Sequence, residues 1–247
     1  MKIVEYGKQN RDVIMLLHGG GLSWWNYRTE AEILKDRYHV VLPILDGHAG
    51  SDDDFISIEK NASRMISFID KQYGGTVLLI GGLSLGAQVL LEMLTQRRHI
   101  CQYAVIESAS VIPSKWIKGL ILPAVSQSYR LIRKKWFAKM QFHYLHIHEA
   151  LFEDYYRDTA KISKNNMIAF LEANISYEMK SGLQNACSRV RVVIGEKEQP
   201  RMLRSAEQLY KGMPGSCLEI KGKLHHGEYS INYPDMYIKE LLDFVQT

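Results

Sequence analysis

The residues whose types and spacing point most directly to chemistry are Gly82-Leu83-Ser84-Leu85-Gly86. A serine hydroxyl becomes a nucleophile when a neighbouring base takes its proton. Glycines on both sides permit a tight strand-to-helix turn, because a side chain there would collide with nearby backbone. Such a turn exposes the hydroxyl of Ser84 at a helix N-terminus, where unpaired N–H groups stabilise negative charge. The pattern predicts nucleophilic chemistry at Ser84, and the alternative is a tight turn with a capping serine.

Two further polar loops follow apolar runs nearer the start of the chain. His18-Gly19-Gly20-Gly21 follows the run 13–17, and Asp46-Gly47-His48-Ala49-Gly50-Ser51 follows the run 40–45. Glycines let the backbone itself approach a ligand closely. The first loop lacks the spacing of a phosphate-binding loop, so a phosphate cradle is the weaker interpretation. We expect His18 to order this loop by hydrogen bonding.

The elements that must position these loops are short apolar runs alternating with amphipathic stretches. Near-continuous apolar runs of this length are typical of parallel strands covered by helices on both faces. The fold class is therefore predicted as α/β, with a mostly parallel, doubly wound sheet. Ligands bind such sheets at the carboxyl ends of the strands. The predicted strands are 13–17, 40–45, 77–80, 103–106, 190–194 and 217–220, and the predicted helices are about 27–37, 57–73, 84–98, 203–213 and 234–246.

Residues 113–188 interrupt this alternation, since they contain no convincing strand and are rich in aromatic and basic residues. We interpret them as helices inserted between two strands of the sheet. Their basic cluster could attract an anionic group of a substrate, although a solvated helix face is the more common role of such charges. The cluster comprises Arg130, Arg133, Lys134, Lys135 and Lys139.

The order of the three loops resembles the α/β-hydrolase superfamily. The elbow 82–86, the glycine loop 18–21 and the segment 46–51, similar to the family's D-x-x-G-x-G-x-S stretch, carry this resemblance. It covers about 1–110 and 189–247, and it implies a hydrolase core of 1–112 and 189–247 with a helical cap of 113–188. It also implies an oxyanion hole formed by the backbone N–H groups of Gly20 and Leu85.

The resemblance further implies a histidine base and an acid that orients it, in the order acid then histidine. His226 matches the histidine of the loop after the strand 217–221, and the adjacent His225 stays as the alternative. Glu198 falls on the acid position after the strand 190–194, where the family usually has aspartate, and Glu196 is the alternative. A glutamate can hold the imidazole in the correct tautomer as an aspartate does.

The family activity that these residues imply is hydrolysis of a small to medium ester or thioester through an acyl-enzyme on Ser84. One alternative is carbon–carbon bond hydrolysis or a cofactor-free lyase reaction on the same residues, and another is a binding protein without turnover. Trp24 and Trp25, just after the glycine loop, could line the substrate pocket or anchor that loop. We expect no metal site at His143, His146, His148 and Glu149, because they lack the HExxH spacing. We expect no cofactor, because acyl transfer through a serine needs none.

The composition of the chain indicates which partners and which cellular compartment to expect. The net charge of +4 is small for 247 residues and indicates no nucleic-acid surface. Three scattered cysteines fit a reducing compartment, and the start of the chain does not read as a signal peptide. No apolar run approaches the roughly 18 residues of a membrane span. The sequence therefore predicts a cytoplasmic protein with no membrane partner, and it leaves the oligomeric state open.

Overall fold

The computed structural model describes residues 1–246. Within them, seven strands form one sheet in the order β1-β3-β2-β4-β5-β6-β7, and only the β1–β3 pairing is antiparallel. This confirms the predicted mostly parallel sheet. The strands are β1 (Ile3–Tyr6), β2 (Val13–Leu17), β3 (His39–Pro43), β4 (Val77–Leu83), β5 (Cys101–Glu107), β6 (Arg189–Gly195) and β7 (Cys217–Lys221).

Helices cover both faces of the sheet, because alternate residues of each strand point into different apolar layers. Ile14 and Leu16 of β2 belong to one buried cluster, whereas Met15 and Leu17 belong to the other. The helices are α1 (Arg28–Leu34), α2 (Ile58–Tyr73), α3 (Leu85–Gln96), α4 (Lys115–Ile132), α5 (Lys135–Tyr144), α6 (Phe152–Thr159), α7 (Lys164–Ser176), α8 (Pro200–Gly212), α9 (Glu228–Asn232) and α10 (Pro234–Gln246).

Helix α2 illustrates how local sequence fixes these elements. The side chain of Ser57 caps its first turn by accepting a hydrogen bond from the N–H of Lys60, and Gly74 ends it in a left-handed conformation. The apolar residues that recur at helical spacing along α2 are buried. These residues are Ile58, Ala62, Met65, Ile66 and Ile69.

Several predicted boundaries were wrong in detail. Strand β1 was missed, because an antiparallel edge strand is only half-buried and its sequence shows no continuous apolar run. The first predicted helix, 27–37, instead begins with a 3₁₀ turn at Trp24–Tyr27 and ends at Leu34. Pro43 is the last residue of β3, where it pairs with Ile3 and interrupts no inner ladder.

The chain between β5 and β6 is helical within the described residues, and it contains α4 to α7 and two short 3₁₀ helices. Its buried side chains join both apolar layers of the molecule: Phe170 lies in the cluster that holds α2 and α3, and Phe142 lies in the cluster that holds α1 and α10. These inserted helices therefore pack beside the sheet at several points. None of the helices within residues 1–246 has the length and hydrophobicity that a transmembrane helix requires.

Candidate active site

The turn between β4 and α3 holds Ser84 in a strained conformation, with φ +52° and ψ −110°. Two close approaches explain its glycines. A Cβ atom at Gly82 would lie 2.6 Å from the carbonyl oxygen of Gly86, and one at Gly86 would lie 2.2 Å from the carbonyl oxygen of Leu17. The turn is therefore pressed against the neighbouring strand β2, and only glycine fits at either position.

Two other loops bring polar side chains to Ser84. His226, which follows β7, places its Nε2 atom 3.1 Å from the Ser84 Oγ atom. Glu198, which follows β6, places its Oε2 atom 2.7 Å from the Nδ1 atom of His226. The loops meet because the parallel strands β4, β6 and β7 end at the same edge of the sheet. Serine, histidine and glutamate thus form one hydrogen-bonded chain.

The alternative residues point elsewhere. Glu196 accepts a hydrogen bond from the N–H of Lys223 at 2.7 Å. His225 stacks on His146 of the inserted segment, with ring centroids 3.8 Å apart and the planes nearly parallel at 8°. Among the described contacts, therefore, His226 and Glu198, and not their sequence neighbours, form the hydrogen bonds that lead to Ser84.

The negative charge of Glu198 and a positive charge on His226 stabilise each other. Burial alone would raise the pKa of Glu198, but hydrogen bonds from His226, Ser108 and the Gly195 N–H hold the pKa of this carboxyl below its ordinary value. Burial opposes protonation of His226, yet the hydrogen bond and charge of Glu198 outweigh it, so the pKa of His226 lies above its ordinary value. Glu198 thus favours the protonated imidazole, the form that a general base adopts after it has taken a proton.

Some of the backbone N–H groups near Ser84 donate hydrogen bonds within the protein, and others have no acceptor. The N–H of Gly19 donates to the side chain of Asn26, and the N–H of Gly21 donates to Nε2 of His48. Among the described residues, the intervening Gly20 N–H has no acceptor. The N–H of Leu85 is the first of α3, so no carbonyl of that helix can accept its hydrogen bond. Two unpaired donors thus lie beside Ser84, at the positions where an oxyanion hole was predicted.

Two buried histidines hold this glycine loop in place. Nε2 of His18 accepts from the N–H of Leu45, and its Nδ1 hydrogen-bonds to the carbonyl oxygen of Gly19, as expected for a residue that orders the loop. His48 in turn bridges Asp46 and Gly21. Burial lowers the pKa of His18 to about 3 and that of His48 to about 4, so both rings are neutral at pH 7.

The sequence pattern that defines the alpha/beta hydrolase family matches residues 14–209, which is most of the chain and includes the glycine loop and the serine turn. The chain belongs to the alpha/beta hydrolase family. No curated protein matches the chain.

Solved structures of similar fold include esterases and a lactonase. An esterase from Thermogutta terrifontis superimposes on this alpha/beta hydrolase with a TM-score of 0.81 at 15% identity, covering 99% of this chain and 92% of the esterase. An esterase from Exiguobacterium antarcticum has a TM-score of 0.83 at 16% identity, covering 99% of this chain and 95% of the esterase. An enol-lactonase from Burkholderia xenovorans has a TM-score of 0.82 at 13% identity, covering 100% of this chain and 96% of the lactonase. At such identities the likeness shows the fold.

Two cavities in this alpha/beta hydrolase meet at Ser84 and His226. The larger, of about 390 Å³, is partly polar, and the smaller, of about 110 Å³, is mainly apolar. Leu145 of the inserted segment borders both. The larger is lined in addition by Ser110, Tyr144, His146, Asn174, Lys197, Glu198, Gln199, Arg201, Met202 and His225, and the smaller by Gly19, Gly20, Leu22, Leu83, Ile147, Gly227 and Ile231.

Trp24 and Trp25 are not among the residues that line these two cavities, and the contacts of Trp25 favour the anchoring alternative. Trp25 is fully buried, and its indole N–H donates to Asp158 of α6 at 3.0 Å. Trp24 lies under the guanidinium group of Arg28 at 5.0 Å. A buried indole needs a partner for its N–H group, and here that partner ties the glycine loop to the inserted helices.

The basic cluster predicted in the inserted segment does not enter the larger cavity. All five side chains are exposed, and Lys135 and Lys139 pair with Glu153 and Glu149 on the surface. A basic cluster that entered this cavity would favour lyase or carbon–carbon bond chemistry on an anionic substrate, and this cluster lies on the surface instead.

Sequence reasoning missed four residues that position the site. Ser108, at φ +54°, donates from its hydroxyl to Glu198 at 2.6 Å and accepts from the N–H of Gly227 beside His226. Glu107, buried at the end of β5, accepts the N–H of Ser84 with its carbonyl and the N–H of Ser230 with its side chain. Burial raises the pKa of Glu107 to about 7. No sequence motif marks either residue, because their partners are distant along the chain.

Gln88 and Asn232 complete this set by connecting the inserted segment to the core. Gln88, one turn after Ser84, donates from its side-chain amide to the backbone carbonyl of Asn174 of α7 at 2.9 Å and accepts from the side-chain amide of Asn174 at 2.9 Å. Asn232, at the end of α9, accepts the N–H of His148 at 2.8 Å and donates to the carbonyl of His146 at 2.6 Å. Both halves of the cavity wall are thereby fixed to the elements that carry Ser84 and His226.

Proposed function

We propose that this chain is a serine hydrolase that cleaves small to medium carboxylic esters or thioesters through an acyl-enzyme on Ser84. The observation that carries the proposal is the hydrogen-bonded chain from Ser84 through His226 to Glu198. A serine with a positioned base, itself oriented by a carboxylate, is the arrangement that activates a hydroxyl for attack on a carbonyl carbon.

The proposed reaction has two halves. In the first, Oγ of Ser84 attacks the carbonyl carbon while Nε2 of His226 takes the hydroxyl proton, and the new oxyanion accepts hydrogen bonds from the N–H groups of Gly20 and Leu85. His226 then gives the proton to the leaving oxygen or sulfur. In the second half, His226 takes a proton from water, the resulting hydroxide attacks the acyl group, and Ser84 regains its proton as the acid departs. Glu198 holds the ring of His226 throughout.

The two cavities support a division of the substrate. We assign a short apolar acyl group to the smaller, apolar cavity, and the polar leaving group to the larger one. The inserted segment 113–188 would act as the cap that closes the larger cavity, since Tyr144, Leu145 and His146 form part of its wall. In this proposal the cap sets which leaving groups enter, and the core performs the chemistry.

A fluorophosphonate probe tests the nucleophile directly. We expect the intact mass of the wild-type protein to increase by one phosphonyl group, and we expect no increase for Ser84→Ala. Ser51→Ala, which changes a serine in another glycine-containing loop, serves as the matched control and should label fully. Absence of labelling together with absence of turnover of short 4-nitrophenyl esters would contradict the proposal and favour a binding protein without turnover.

Arg201 in the larger cavity supports a narrower proposal, namely that the leaving group carries a carboxylate or another anion. Its Nη1 atom donates to Ser110 Oγ at 2.6 Å and to the carbonyl of Ile112 at 2.9 Å, whereas its buried Nε atom has no partner. Burial lowers the pKa of Arg201, and among the described residues no carboxylate forms an ion pair with it. A half-buried guanidinium without a counter-ion is suited to bind an anion.

We therefore expect Arg201→Met to raise KM for 4-carboxyphenyl butyrate by about 10- to 100-fold, the loss typical of one hydrogen bond to a charged group. KM for phenyl butyrate, which lacks the carboxylate, should change little. Arg204→Met, an exposed position on the same helix, is the control. If both esters lose affinity equally, Arg201 supports the cavity wall and does not bind the anion.

A further inference from the structure

The positive charge of the molecule is concentrated in one segment. Residues 113–148 contain seven lysines and arginines and no aspartate or glutamate, so the rest of the chain has 24 basic and 27 acidic residues. Lys135 and Lys139 have surface carboxylate partners, whereas the others form no ion pair within residues 1–246. The unpaired basic residues are Lys115, Lys118, Arg130, Arg133 and Lys134.

The same segment exposes large apolar side chains at helical spacing. In α5, Trp136, Met140 and Tyr144 recur every four residues and are 64%, 54% and 78% exposed. In α4, Trp116 and Leu120 are 63% and 54% exposed and are likewise four residues apart. Residues at this spacing share one face of a helix.

These faces point away from the protein interior. The opposite sides of both helices pack against it. Val125 and Ile132 of α4 and Ala138 and Phe142 of α5 are buried. Each helix is thus apolar on two sides, although only one side packs against the fold. Exposed apolar faces of this size are unusual in a soluble monomer and mark surfaces that bind something else.

We propose that the outer face of α4 and α5 binds the surface of an anionic lipid bilayer. Tryptophan and tyrosine insert at the interface between headgroups and acyl chains, while the surrounding lysines and arginines attract anionic headgroups. A protein partner with an acidic surface would satisfy the charges, but a bilayer also accommodates apolar side chains spread along two helices without a matching shape. The proposal departs from the sequence expectation of no membrane partner, which considered only the length of apolar runs.

The position of this face relative to the cavities gives it a further consequence. Tyr144 ends the exposed stripe of α5 and also lines the larger cavity, and the next residue, Leu145, borders both cavities. A bilayer on this face would therefore lie beside the cavity mouth. Esters that partition into the bilayer would reach the cavity from the surface to which the protein is bound.

Co-sedimentation of the full chain with vesicles tests this inference. We expect binding to vesicles of phosphatidylcholine with about one-third phosphatidylglycerol to be at least about tenfold tighter than to phosphatidylcholine alone, since each basic residue near an anionic surface contributes about fivefold. Binding should weaken as salt screens these charges. Trp136→Ser/Met140→Ser and Arg130→Glu/Lys134→Glu should each reduce binding by at least about tenfold.

Matched variants separate this face from general effects of charge and polarity. Ile33→Ser/Ile56→Ser removes exposed apolar side chains elsewhere, and Lys60→Glu/Lys71→Glu makes the same change of net charge on α2; both should bind vesicles as the wild type does. Thermal unfolding of each variant checks that it folds. Equal binding to both vesicle types would overturn the proposal. So would a dimer in sedimentation equilibrium that Trp136→Ser dissociates, with no vesicle binding, because the face would then join two copies of this chain.

Discussion

Replacement of His226 by alanine is expected to lower kcat for ester hydrolysis by about 10⁶-fold, whereas the same change at the neighbouring His225 lowers it less than about tenfold. The difference follows from geometry, because His226 places its Nε2 atom 3.1 Å from the hydroxyl oxygen of Ser84, whereas His225 stacks on His146. Without a base, the hydroxyl of Ser84 keeps its proton and is a poor nucleophile at neutral pH.

The comparison is informative because the two histidines are adjacent in sequence and both line the larger cavity. His225→Ala removes a ring that stacks on His146, so it controls for loss of volume and of contact with the inserted segment. Steady-state rates with a short 4-nitrophenyl ester measure both variants. Equal losses would show that the cavity wall matters and that His226 is not the base.

Replacement of Glu198 by glutamine is expected to lower kcat by about 10⁴-fold, with little loss of folding stability from packing, because the two side chains have the same shape. The glutamine amide can donate to Nδ1 of His226, which stabilises the tautomer whose proton lies on Nε2. In that tautomer the ring cannot accept the proton of Ser84. The control is Glu196→Gln, which alters the carboxylate that accepts from Lys223 and should retain near-normal turnover.

The pH dependence of the two enzymes gives a second measurement. In the wild type, kcat/KM should fall as the pH drops through the pKa of free His226, which Glu198 holds above its ordinary value. In Glu198→Gln the hydrogen bond and charge that raise this pKa are gone, so the residual activity should persist to lower pH. An unchanged acid limb would mean that Glu198 does not act on His226.

The parts of the site that the sequence predicts are those fixed by local backbone. The serine turn needs Gly82 and Gly86 because of contacts under 3 Å with Gly86 and Leu17, and such constraints leave a visible motif. The glycine loop and its ordering His18 are equally local. The five inner strands, β2 to β6, were predicted because burial on both faces requires continuous apolar runs. The edge strand β7 was also predicted, although its residues are only partly buried or exposed.

The parts that the sequence does not predict depend on distant partners. Ser108 reaches Glu198 across 90 positions, and its left-handed conformation has no glycine to announce it. The short helix α9 carries Asn232, whose role depends on where residues 146–148 fold. Similarly, the sequence indicates only that Trp25 is an aromatic residue close to the glycine loop. Its hydrogen bond to Asp158, 133 residues away, shows that it anchors the loop.

The two hydrogen bonds of Asn232 have a thermodynamic consequence. They fasten residues 146–148 to α9, the helix that begins directly after His226 and Gly227. His146 lines the larger cavity, so a ligand whose contact with His146 requires the fastened position favours the fastened state of this segment. By linkage, the coupling free energy is reciprocal: the fastened segment strengthens ligand binding by the same factor by which the ligand stabilises the segment.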